Sequence, residues 1–218
     1  MYFIMSIQNN KGEYMNKLLV LLGSVLLSTS TLAMSGHIGV GTDYMWRGQT
    51  DHGLAVNFAI EQDLGQGFYI GNWNSSVDID GDRELESDFY GGYTKSFDSG
   101  FWFNGEYIAY RYSGDNSDGL EFEERIFQVG YESFSYGKAE GVDLDMDYEW
   151  YNIGLPFITW ADINIELGEW SDGRENKMLT AMWSLSDSMS LTVMVMADVK
   201  DDDMSFGDAV SVHFKHKF

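Results

Sequence analysis

Along most of this chain hydrophobic and polar residues alternate one for one, the period at which side chains leave a β-strand on opposite faces. The closing segment shows it plainly. Val210, Val212, Phe214 and Phe218 fall on one face, and Ala209, Ser211, His213, Lys215 and Lys217 on the other. The alternation reaches the final residue, an aromatic. A last strand left open would present a row of unpaired backbone groups, whereas in a closed ring it pairs with the first. From Gly36 onward the pattern recurs about twelve times, between clusters of Gly, Asp, Asn and Ser that mark turns.

Taken in order, the first predicted strand carries Ile38, Val40, Thr42, Tyr44 and Trp46 on its apolar face, with Gly39, Gly41, Asp43 and Arg47 opposite. The second sets Leu54, Val56, Phe58 and Ile60 against Asn57, Ala59 and Glu61. The third sets Tyr69, Gly71, Trp73, Ser75 and Val77 against Asn72, Asn74, Ser76 and Asp78. An acidic loop over 80–86 and a strand near 87–97 follow. Then Phe101, Phe103, Tyr107 and Ala109 oppose Asn104 and Glu106, and Phe127, Val129 and Tyr131 oppose Gln128, Gly130 and Glu132. Two strands are expected within 138–157, with no turn residue to divide them. Ile163, Ile165 and Leu167 oppose Asn164, Glu166 and Gly168, and two further apolar alternations run from Leu179 and from Leu191.

Two regularities set the fold class. Compact turns at 64–67, 98–100 and 186–188 alternate with longer acidic loops at 48–53, 80–86, 113–119, 171–175 and 200–205, the habit of outer-membrane barrels. The alternating segments often run for about ten residues, the length a tilted strand needs to cross a bilayer, where soluble strands average nearer five or six. The polar faces, made of glycine, asparagine, serine and single carboxylates, could not fill a dry core, because an unpaired buried carboxylate costs several kcal/mol. The reading is an all-β protein: a transmembrane antiparallel up-and-down β-barrel of about 12 strands, apolar face to lipid and polar face to the lumen. Tyr44, Trp46, Phe68, Tyr69, Phe97, Phe101, Trp102, Tyr112 and Trp170, near strand ends, would form the interfacial girdles.

The start of the chain reads differently. Met15-Asn16-Lys17, the apolar run Leu18 to Leu27, and Thr31-Leu32-Ala33 have the form of a secretory signal peptide over 1–33, with 1–14 as an upstream extension and the barrel over 34–218. There is no cysteine, so neither a disulfide framework nor a thiolate metal site. Thirteen Lys and Arg against 35 Asp and Glu, a formal charge of −22, argue against nucleic acid. The partners expected are outer-membrane lipid and lipopolysaccharide, small solutes, and the barrel-assembly machinery acting through the C-terminal strand that ends at Phe218.

The candidate chemistry is sparse. Asp43 and Arg47, two pleats apart, could form a charge pair in the lumen. Asp78, Asp80, Asp82, Glu84, Glu86 and Asp88 place a carboxylate at every second residue, but Gly81 is in the wrong place for a calcium loop, and the stretch reads as a solvated acidic loop. The four histidines lack the close spacing of a metal site. A Ser211–His213 hydrolase pair is disfavoured because both point inward. Met182, Met194 and Met196 would narrow the lumen together with Trp102. No catalytic residue, cofactor or metal is expected, and the pore-lining set is Asp43, Arg47, Glu61, Asn72, Asn74, Asp78, Asn104, Glu106, Glu132, Glu166 and His213.

Gly41-Thr-Asp-Tyr-Met-Trp-Arg-Gly48, Leu54-Ala-Val-Asn-Phe58 and Gly67-Phe-Tyr-Ile-Gly-Asn-Trp73 resemble the opening of the TorF-family porins of proteobacteria. The resemblance covers essentially all of 34–218 and implies an outer-membrane barrel with a pore; it brings no catalytic residue or substrate. The expected function is passive diffusion of small solutes. Cations would be preferred, since inward acids outnumber inward bases. The alternatives are a closed structural or adhesive barrel and, further off, an outer-membrane hydrolase.

Overall fold

The computed structural model describes residues 34–47, 49–50, 53–79, 81–114, 120–142, 145–197 and 209–218. The signal-peptide reading of 1–33, with its extension over 1–14, lies outside them. The strands are β1 (Met34–Gly41), β2 (Met45–Trp46), β3 (Gln49–Thr50), β4 (Ala55–Gly65), β5 (Phe68–Ile79), β6 (Asp82–Ser96), β7 (Phe101–Ser113), β8 (Phe122–Tyr131), β9 (Phe134–Gly141), β10 (Asp147–Gly154), β11 (Asp162–Trp170), β12 (Glu175–Ser184), β13 (Met189–Ala197) and β14 (Ala209–Lys217). Among the described residues, twelve of them close into one antiparallel barrel, and β2 and β3 form a separate two-stranded hairpin. β1 pairs with both β4 and β14. The seam extends to the last residue, where Gly36 N–H donates to Phe218 O at 3.1 Å and Phe218 N–H to Gly36 O at 3.0 Å.

The register fixes the width of the ring. Following hydrogen-bonded partners from Ile38 through Phe58, Asn74, Ser87 and Arg111 and on around the barrel returns to the line of β1 displaced by about sixteen residues. With ordinary strand rise and spacing, that stagger tilts the strands by about 45° and makes a backbone ring about 24 Å across. Side chains from one wall therefore do not fill it.

Exposure sorts the two faces. Ile38, Val56, Phe58, Phe89, Phe127, Leu179 and Val210 are exposed, whereas Ala59, Ser75, Tyr110, Ala139, Tyr148, Asn176 and Met196 are buried. The ring is thus apolar outside and more polar within, inside out relative to a soluble protein. Near the end that carries the longer connections the outward face turns charged, with Arg111 on Glu123 at 2.6 Å and Lys138 on Glu140 at 2.9 Å and Asp147 at 3.4 Å. At the opposite end the β4–β5 turn places Gly65, Gln66 and Gly67 all at positive φ. A Cβ on Gly67 would stand 2.2 Å from Thr94 O, so only glycine fits.

The strand boundaries depart from the sequence pattern in three places. Of the expected loop 80–86, residues 82–86 are strand: β5 and β6 pair up to Ile79 and Asp82, with Val77 opposite Glu84 and Ser75 opposite Glu86. A carboxylate at every second position is itself a period-two signal, and the ladder uses it. Within 138–157, β9 extends back to Phe134 and ends at Gly141, and β10 begins at Asp147. β1 stops at Gly41; Thr42 N–H still donates to Val212 O at 3.0 Å, and the chain leaves the wall after it.

Candidate functional site

After Gly41 the chain folds into the lumen. The β2–β3 hairpin reaches across it, with Arg47 at its turn in the left-handed region at φ 47°. The Arg47 guanidinium makes a bidentate pair with Glu124 on β8, Nη1–Oε1 at 2.7 Å and Nη2–Oε2 at 2.9 Å. The Trp170 indole N–H on β11 donates to Arg47 O at 3.2 Å. β8 lies five strands from β1 in one direction around the ring and β11 four in the other, so the loop crosses the barrel. Rings enclose the cation: its carbon is 4.5 Å from the Trp46 centroid, 5.0 Å from Tyr148, 5.7 Å from Trp150 and 5.8 Å from Trp170. Trp46 packs on Tyr110, Phe122 and Trp170, and Tyr44 on Trp73. Room for these rings comes from small residues on neighbouring strands: a Cβ on Gly137 would meet the Trp150 indole at 2.3 Å.

Beside the loop stands an acidic wall. Glu84, Glu86 and Asp88 on β6 and Glu124 on β8 all point inward and are buried. Tyr112 O–H donates to Glu86 at 2.7 Å and Tyr110 O–H to Glu124 at 3.0 Å. Asp43 is buried at the root of the loop, where it accepts from the Thr50 hydroxyl and from Gly53 N–H at 3.3 Å. Above the ring, Arg174 lies over Trp170 and donates to Asp172 at 2.7 Å, a hydrogen bond that holds the Asp172 carboxyl below its ordinary range.

Toward the tight-turn end the lumen is lined rather than filled. Trp102, Asn104, Glu106, Gln128, Asn152, Asn164, Thr180, Thr192 and Lys215 point inward and are half-buried. Tyr69 O–H donates to Asn104 at 2.8 Å and Glu106 at 2.7 Å, and Tyr90 O–H to Glu61 at 3.4 Å.

Glu61, Asn104, Glu106, Glu166 and His213 point inward from the wall. Glu166 accepts from Tyr148 O–H at 2.8 Å. Asp43 and Arg47 are inside the ring but on the loop rather than on a strand, and the carboxylate that Arg47 engages is Glu124, not Asp43. Asn72, Asn74 and Asp78 face outward, a correction to the predicted parity. Asn74 pairs with the outward Phe58, and Ser75 with the inward Asn57. The register of β4 and the tight turn fix the parity, and the two asparagines are kept satisfied. Asn74 Nδ2 donates to Asn72 Oδ1 at 2.5 Å, Ser87 Oγ to Asn74 Oδ1 at 2.7 Å and Asn72 Nδ2 to Asp88 O at 3.1 Å. Glu132 has left the strand for the β8–β9 turn, at φ 50°. Of the expected girdle, Phe68, Phe97 and Phe101 are exposed, but Tyr44, Trp46, Tyr69, Trp102, Tyr112 and Trp170 lie inside. Glu124 and the carboxylates of 84–88, missed as lumen residues, carried a findable signal in the latter's strict alternation. Ser211 and His213, thought poorly paired, are hydrogen-bonded at 2.7 Å, but Ser211 is fully buried and also donates to Asp43 O at 3.1 Å.

Among curated proteins, none matches the sequence. By structure, the chain is similar to a KdgM porin with a TM-score of 0.62 at 12% identity, over 84% of this chain and 99% of that one. It is similar to a KdgM porin in complex with disordered oligogalacturonate at a TM-score of 0.58 and 11% identity, over 84% and 96%. Outer membrane phospholipase A from Escherichia coli aligns at only 0.46 and 11% identity, over 88% and 92%. At these identities the likenesses establish the barrel fold alone. The sequence over residues 27–169 matches a family described as a bacterial protein of unknown function, Gcw_chp, and the chain belongs to that family.

Proposed function

We propose that this protein is an outer-membrane channel for small solutes, a TorF-like porin whose bore is set by the loop that crosses it. One observation carries the reading. Below the loop the polar inward face is half-buried and lined by unpacked amide, hydroxyl and charged groups, so it suits water rather than a dry core. The exposed apolar outward face and the charged collar above it suit a bilayer with lipopolysaccharide at its outer surface. Phe218, whose backbone closes the seam, is the group the assembly machinery would read. The inward acids Glu61, Glu84, Glu106 and Glu166 outnumber the inward lysines Lys215 and Lys217, and such an excess favours cations among simple ions. Ester hydrolysis gets no support from Ser211, whose hydroxyl no substrate reaches.

Planar-bilayer recording of the purified barrel tests this. The expected result is a small unitary conductance with a reversal potential displaced toward cations in a salt gradient. Anion selectivity would overturn the charge argument. Silence in the wild type and in variants that loosen the loop would favour the second reading, a closed structural barrel. The observation behind that reading is the bidentate Arg47–Glu124 pair spanning the bore.

A further inference from the structure

The half of the lumen nearer the tight turns carries two charged strips. In a chain with 13 basic residues against 35 acidic ones, two of the cations, Lys215 and Lys217, stand together on the inward face of β14. His37 on β1 is the direct partner of Lys217. Neither lysine makes an ion pair among the described residues, though carboxylates are abundant elsewhere. Glu106 on β7 lies five strands around the ring, nearly across from them, and Glu61 on β4 lies between. Both acids are oriented by tyrosine hydroxyls rather than by cations. Allowing for a 45° tilt, Lys215, His37, Glu61 and Glu106 share one level to within about 5 Å. Asn152, Asn164, Thr180 and Thr192 are the uncharged inward residues of the remaining wall at that level, with Glu166 one inward position beyond Asn164 toward the loop. Asp162, exposed at the start of β11, stands at the mouth level with the exposed Lys217 and three strands from it.

Charge kept unpaired in a half-buried place costs stability, and the β14 lysines and Glu106 of β7 could have neutralised one another on adjacent strands. Held apart, they maintain a field across the bore rather than along it. A simple anion is drawn to one strip and repelled by the other, and a simple cation likewise. A solute with both charges can satisfy both strips at once, or at least orient between them.

We propose that this level of the lumen selects small zwitterions, molecules bearing a carboxylate and an ammonium group, with the anionic end toward Lys215 and Lys217 and the cationic end toward Glu106 and Glu61. The proposal rests on the channel reading above. It differs from cation preference among simple ions, which the acidic wall nearer the loop provides.

The test is proteoliposome swelling with two solutes of nearly equal size, zwitterionic 4-aminobutyrate and neutral 4-hydroxybutanamide. The wild type is compared with Lys215→Gln/Lys217→Gln and Glu61→Gln/Glu106→Gln, each checked for heat-modifiable gel mobility. In the wild type the zwitterion should enter at least about threefold faster than the amide, and either double variant should bring the ratio near one. The lysine variant should also shift the reversal potential further toward cations. Equal entry of the two solutes through the wild type overturns the inference and leaves the channel standing, as does an advantage that survives in both variants. Entry of neither solute overturns the channel and this inference with it.

Discussion

Replacing Arg47 by alanine should open the barrel rather than unfold it. The guanidinium is bound twice by Glu124, whose side chain is 1% exposed, and is enclosed by four rings. Removing one partner of a buried pair leaves the other charge uncompensated, at about 3–5 kcal/mol. The lost cation–π contacts add about 0.5–2 kcal/mol. The barrel wall, held by continuous ladders, does not depend on the loop, so the cheapest relief is to let the hairpin swing out and water reach Glu124. Part of the cost is recovered by that hydration and by the left-handed φ at Arg47, which alanine need not adopt. A net shift of about 2–4 kcal/mol multiplies the loop-out population about 30- to 900-fold. In planar bilayers, Arg47→Ala should show a larger open level and more frequent transitions than wild type at the same heat-modifiable mobility. Adding Glu124→Gln to Arg47→Ala should bring the loop part of the way back, because the stranded charge is gone. Identical conductance and noise in wild type and Arg47→Ala, both folded, would refute the latch.

Gly137→Val, which drives a branched side chain into the Trp150 ring, should lower the temperature of the heat-modifiable transition, while Gly105→Val, with no atom within 4 Å of its Cβ, should not. Deleting Phe218 removes two seam hydrogen bonds and should slow assembly into membranes, measured as the folded fraction recovered from vesicles. Because Arg174 holds the Asp172 carboxyl low, its contribution is complete above the ordinary carboxylate range and is lost as pH falls through the lowered value; an NMR titration should show Asp172 titrating below a free carboxyl, and Arg174→Ala should raise its midpoint.

Alternation alone determined that this chain makes long strands, that the strands form a ring, and that Val210, Val212 and Phe214 face opposite to Ser211, His213 and Lys215. That information is local, because neighbouring side chains leave a strand on opposite sides whatever lies around it. It could not say which face of β5 points outward, because Trp73 and Val77 on one side and Asn72 and Asn74 on the other suit either environment once cross-strand partners satisfy them. Tertiary register decided that, through the pairing of Asn74 with Phe58. Nor could it place Asp43-Tyr-Met-Trp-Arg47, whose period-two pattern continues β1 on paper. Only a closed ring about 24 Å across has room for a hairpin inside, and only its far walls bring Glu124 and Trp170, distant in sequence, to the guanidinium that the loop carries in.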